Sequence, residues 1–191
     1  MARPRTFNPE DVLDAARDVF WRKGYQGTSL DDVTAETGLT KPSLYAAFGD
    51  KSSLFLKILD RYHALILKRS EQILNHGPSA RAAVEAWLTS FVPYCSGIKG
   101  RRGCLSINTA TDGGLDESAL RKSIANFNSR LEELIRARLE RDRAQFSRDF
   151  DPVAVASAIM TAYVGLMVLS KQTPTAERVT AVIAQITRLL A

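Results

Sequence analysis

The stretch GTSLDDVTAETGLTKPSLYAAFGDK, Gly27–Lys51, decides the fold of this chain. It holds two short helix patterns joined by a tight glycine turn. Ser29 stands where its hydroxyl can accept from the free N–H groups of an opening helical turn, and Asp32 favours the same end through the helix dipole. Leu30 and Val33 give that helix one apolar edge, and Gly38 marks its stop, where the chain turns with positive φ. Thr40 caps a second helix, whose first turn tolerates Pro42 because no intrahelical N–H bond is lost there. Leu44 and Phe48, four apart, face inward and leave Lys41, Ser43 and Tyr45 on the outer side. The pattern is a helix-turn-helix whose second helix can enter a DNA major groove. Spacing alone leaves open an ordinary helical corner that touches no nucleic acid.

Upstream, residues 1–7 read as a mobile basic arm. Asn8-Pro9 starts a helix with Val12, Leu13, Ala16, Val19 and Phe20 at helical spacing, ended by Lys23-Gly24. The expected core of this head is Leu13, Phe20, Leu30, Val33, Leu39, Leu44 and Phe48. Asp50 caps a long fourth helix running to about Asn75, which His76-Gly77-Pro78 breaks. No flexible linker separates head from remainder, so the fourth helix is itself the connection. A fifth helix carries Ala83, Val84, Trp87, Leu88, Phe91 and Val92 and is kinked or ended by Pro93. Gly97–Gly103 is a basic loop, and Cys104–Thr111 a short helix closed by Asp112-Gly113-Gly114. Asp116 begins a long amphipathic helix, while Asp151-Pro152 and Thr175 start the last two. With no period-two run anywhere, the fold class is all-α.

The 191 residues carry a formal net charge of +5 and are 45% hydrophobic, which permits a sizeable core and favours an anionic partner. The first fifty residues do not hold that excess, given Asp11, Asp14, Asp18, Asp31, Asp32 and Glu36, so any attraction to DNA there rests on placed cations. Cys95 and Cys104, the only cysteines, do not make a disulfide scaffold. The N-terminus lacks the apolar core of a secretory signal. Pro152 to Leu169 is long and apolar enough to raise the question of a membrane span. Rich in small residues and without a second such span, it is expected to be a helix buried on all sides. The protein is expected to be cytoplasmic, without membrane contact.

Residues 8 to 60 resemble the TetR family of transcriptional regulators. Gly24-Tyr25 match the family's glycine-aromatic pair after the first helix, Thr28-Ser29 the start of the second, and Gly38 the turn. Leu44-Tyr45 and Phe48 match the third helix and Lys51 the start of the fourth; Thr34 and Thr37 depart, standing where alanines are usual. The resemblance implies about nine helices, with a helix-turn-helix DNA-binding domain at 1–50, the family-type domain reaching about residue 66. Residues 51–191 would form a ligand-binding and dimerisation domain. It further implies a homodimer through the last two helices, a palindromic operator in double-stranded DNA, and a repressor released by a small-molecule, electrophile or oxidant effector. A partner would also cover the apolar helix at 152–169.

Roles follow by residue type. Lys41 and Ser43 can reach base edges, and Pro42 can pack on a thymine methyl. Tyr45, Lys51, Thr28 and Thr40 suit phosphates, with Arg3 and Arg5 along the adjacent backbone or minor groove; for Tyr45 the alternative is a core aromatic. Trp87, Phe91, Tyr94, Cys95, Ile107, Asn108, Phe127, Tyr163 and Met167 are candidates for an effector pocket or, equally, for plain core packing. Cys104 follows Arg101-Arg102-Gly103 at a helix start, features that favour a thiolate, and GCLSINTATD resembles family members that sense through cysteine. The alternative is a buried small hydrophobe. No metal site or cofactor is expected, since the cysteines lack zinc spacing and His63 and His76 complete no ligand set. Neither a nucleophile–base motif nor a phosphate loop suggests an enzyme. A helical protein-binding adaptor remains the competing class.

Overall fold

The computed structural model describes residues 7–111 and 118–190, and among these the fold is all-α. The α-helices are α1 (Pro9–Gly27), α2 (Leu30–Thr37), α3 (Lys41–Phe48), α4 (Lys51–Asn75), α5 (Ala80–Thr89), α6 (Val92–Cys95), α7 (Leu105–Thr111), α8 (Ser118–Arg141), α9 (Pro152–Leu169) and α10 (Ala176–Ile186). The expected fifth helix is divided, since α5 stops at Thr89 and α6 resumes around Pro93. Counting the pair as one kinked helix leaves nine among the described residues. Gly97–Gly103, expected as a loop, holds a 3-10 turn at Ile98–Arg102. The start at Asp116 and the Asp112-Gly113-Gly114 stop lie outside the described residues.

Local caps account for the boundaries. The Asn8 side chain accepts from Glu10 N at 3.1 Å, with Pro9 in the first turn of α1. Ser29 and Asp32 form a reciprocal capping box: Ser29 Oγ accepts from Asp32 N at 3.2 Å, and Asp32 Oδ2 from Ser29 N at 2.9 Å. Gly38 ends α2 at φ 69°, and no atom lies within 4 Å of an added Cβ, so glycine is required there by the backbone and not by space. Asp50 accepts from Ser53 N at 2.7 Å, and Asp151 from Val153 N and Ala154 N at 2.9 and 3.2 Å.

The described residues form two compact units, one within Met1–His63 and Asn108–Ile124, the other within Ala64–Ile107 and Ala125–Ala191. In the first, Val12, Ala16, Val19, Phe20, Val33, Leu44 and Phe48 are buried, as are Leu54, Phe55, Ile58 and Leu59 of α4. Its centre is aromatic, with Phe55 4.7 Å from Phe20 and 5.0 Å from Tyr25 between ring centroids. Such ring pairs add about 0.5–1.5 kcal/mol beyond area burial. Leu13, Leu30 and Leu39, expected in this core, are only half-buried, and Tyr25 takes the central place.

In the second unit Trp87, Leu88, Leu131, Ile135, Leu139 and Val179 are buried with one face of α9, formed by Ala156, Ile159, Met160, Tyr163, Leu166 and Met167. The expectation that α9 is buried on all sides is corrected for the single chain. Pro152–Gln172 is apolar and long enough to cross a membrane, with a mean hydropathy of 2.0, yet only 39% of its most apolar 18-residue window is buried. Val153 and Val168 are exposed on α9, as are Val182 and Leu189 further along the chain.

Candidate nucleic-acid interface and buried aromatic core

The first turn of α3 presents Lys41, Pro42 and Ser43 to solvent, with Tyr45 and Ala46 following. Leu44 and Phe48, buried on the opposite side, fix which face this is. Tyr45 is 51% exposed, so it is not a core aromatic. Thr40 caps α3, its hydroxyl oxygen 3.4 Å from Ser43 N. Lys51, at the start of α4, places its Nζ 4.6 Å from the Tyr25 ring centroid and 3.4 Å from the Gln26 carbonyl. Arg3 and Arg5 lie outside the described residues.

Thr28 requires a correction. It is 2% exposed and its hydroxyl donates to the Gly24 carbonyl at 2.7 Å, so the side chain expected to hold a phosphate instead stabilises the break in α1. Gly24 adopts φ 73°, ψ 166°, the kink that the Lys23-Gly24 stop anticipated.

Carboxylates hold several cations of this unit. Arg22 pairs with Glu36 at 2.6 Å, Lys23 with Asp32 at 2.6 Å, and Lys41 with Asp31 at 2.7 Å. The Lys23 hydrogen bond, then the Ser29 N–H, bring Asp32 down to about 2. Asp31 holds Lys41 above the usual ammonium range by hydrogen bonding and charge. Sequence reading missed the Asp31 pairing, because the partners lie on different helices and no local period links them.

In the second unit Trp87, Phe91 and Tyr163 meet with centroid separations of 5.1–5.4 Å. Trp87 Nε1 donates to Ser70 Oγ at 2.9 Å, and the Tyr94 hydroxyl donates to the Gly103 carbonyl at 2.7 Å. Phe127 and Met167 are buried and Ile107 half-buried, whereas Asn108 falls in the first unit. Cys95 and Cys104 are buried thiols. Burial pushes Cys95 up to about 11 and raises Tyr163, beside Cys104 and Cys95, well above the ordinary phenol range. A depression of about 240 Å³ is lined instead by Leu169, Gln172, Thr173, Pro174, Thr175 and Arg178, and borders none of the expected pocket residues. Among the described residues no three His, Cys, Asp or Glu side chains gather as a metal site.

The fold and this face define an all-helical protein with a helix-turn-helix unit joined by continuous helices to a second helical unit. A profile of bacterial regulatory proteins of the tetR family matches residues 12–58. The solved structure of a cysteine variant of the TetR family transcriptional regulator CifR, complexed with 26-bp double-strand operator DNA, is 34% identical. It aligns with a TM-score of 0.88 over 97% of this chain and 98% of that one. The transcriptional repressor ComR of Escherichia coli K12 is 34% identical over 110 residues, 57% of this chain and 52% of that protein. The repressor BdcR of the same strain is 47% identical over 60 residues, 31% of this chain and 30% of that protein. The chain thus spans about half the length of ComR and under a third of BdcR. It belongs to the TetR family of transcriptional regulators.

Proposed function

We propose that this protein is a repressor that binds a palindromic operator as a dimer and is released by a small-molecule or electrophilic effector. The observation that carries the reading is the solvent-facing first turn of α3, which offers Lys41 and Ser43 to base edges above an apolar inner face. Lys51, Thr40 and Tyr45 are assigned to phosphates, fixing register without reading sequence. The operator complex of CifR and the repressor names of ComR and BdcR support the same direction.

The effector is assigned to the aromatic core around Trp87, Phe91 and Tyr163. Release requires that the effector bind the non-DNA-binding state more tightly, since tight binding alone shifts nothing. Cys104, which follows Arg101-Arg102-Gly103 at the start of α7, is the assigned target of an electrophile, and because the thiol is 1% exposed this part of the chain must open before a reagent reaches it.

A gel-shift against DNA from upstream of the protein's own gene, titrated with salt, tests the reading. Lys41→Ala should relax base preference, whereas Lys51→Ala should weaken all sequences and reduce the salt slope by about 1. Absence of sequence preference at every salt concentration would sink the repressor in favour of a protein-binding adaptor. An electrophile should release operator from wild type and not from Cys104→Ser; equal release would remove Cys104 as the sensor.

A further inference from the structure

We propose that Asp31 is a specificity-determining residue, whose carboxylate withholds Lys41 from sequence-independent phosphate binding. The inference rests on the reading of α3 as the recognition helix. Three carboxylates of α2 hold cations, but they do different things. Glu36 and Asp32 pair with Arg22 and Lys23 of α1 and tie two helices of the head together. Asp31 takes its cation from the outer face of α3. The Asp31 and Lys41 side chains are 73% and 50% exposed, so the pair faces solvent on the surface that would meet DNA. Asp31 is also not the capping residue of α2, because Ser29 and Asp32 already complete the capping box.

An exposed ion pair is weak and exchanges readily, so Lys41 is held yet transferable. Non-specific affinity comes from cations that neutralise phosphates and release counterions. A lysine already neutralised by Asp31 releases fewer, and the carboxylate repels every phosphate alike. At a matching site guanine N7 and O6 accept from Lys41, and a neighbouring cytosine amine can donate to the vacated Asp31 carboxylate. The cost of separating the pair is therefore recovered at particular base pairs only, which widens the gap between right and wrong sequences.

The test measures binding of the full chain to the duplex preferred in the gel-shift and to a scrambled duplex, by fluorescence anisotropy across a salt series. Asp31→Asn should tighten scrambled-DNA binding by about 3- to 10-fold and steepen the log–log salt slope by about one, with a smaller gain on the preferred duplex. Asp31→Glu, which restores the carboxylate, should behave as wild type. In a Lys41→Ala background the effect of Asp31→Asn should shrink and the slope should stay put. Unchanged scrambled affinity, equal tightening of both duplexes, or the same effect without Lys41 would each overturn the proposal. Wild type binding both duplexes equally would instead overturn the recognition-helix reading beneath it. Far-UV circular dichroism separates either outcome from misfolding.

Discussion

His63 sits on α4 almost wholly buried, its Nδ1 3.4 Å from the Ser123 hydroxyl, which donates to Asp60 at 3.1 Å. Burial lowers its pKa from 6.5 to about 4. As pH falls the unfolded chain takes up the proton first. This contribution to stability is complete above about pH 6.5 and is lost progressively down to about pH 4, by about 3 kcal/mol in all. Thermal melts from pH 7.5 to 4.5 should show that loss in wild type, and His63→Gln should have a flatter profile. An identical slope in both would assign the acid sensitivity elsewhere. Neighbouring residues of the head differ in how far their type announced their place. Lys41 and Tyr45 face solvent as their spacing implied, whereas Thr28, adjacent to a cap and itself a plausible phosphate donor, turns inward. Its burial follows from the Gly24 carbonyl freed by the kink, which no residue-type argument registers.

The end of α4 depends on a neighbouring helix. Its last turn has no basic residue of its own, and Arg138 of α8 supplies one. The guanidinium, whose side chain is 3% exposed, donates to the carbonyls of Leu74, His76 and Gly77 at 3.0–3.2 Å and pairs with Asp142 at 3.0 Å. The Leu74 carbonyl is one of those that a helix end leaves without partners, those of His76 and Gly77 belong to the turn just beyond it, and the cation also opposes the negative end of the dipole. Arg138→Met should cost about 3–5 kcal/mol in urea unfolding, because it strands Asp142 and those carbonyls; a loss under 1 kcal/mol would show the clamp to be incidental. The break at His76-Gly77-Pro78 was legible in the sequence, but the group that caps it was not. It comes from a residue more than sixty positions away, on another helix.

At the scale of the molecule, the second unit leaves apolar side chains of α9 exposed, with Val182 and Leu189 beyond it. Covering this face is the role proposed for a second copy of the chain, and two copies would present two α3 helices to successive half-sites. Gly165 is a sensitive probe, since nothing in the single chain lies within 4 Å of a Cβ added there. Gly165→Val should leave the fold of one chain intact and raise the dimer dissociation constant in sedimentation equilibrium, with a parallel loss of operator affinity. Unchanged association would move the interface away from this part of α9. The helices α4, α7 and α8 each carry residues of both compact units.

By itself the sequence determined the helices, their order and most of their ends. Those features depend on hydrogen bonds within a single turn, such as Ser29 with Asp32 or Asp151 with Val153, and on apolar spacing that repeats along one segment. The outward face of α3 was legible for the same reason, because burying Leu44 and Phe48 orients every other residue on so short a helix. Only the tertiary structure decided that Lys41 is held by Asp31, that Tyr25 and Phe55 centre the head, that Arg138 caps α4, and that α9 is half uncovered. Each of these depends on how two helices cross and which rotamers then meet, and neither a local period nor a residue's type encodes that distance.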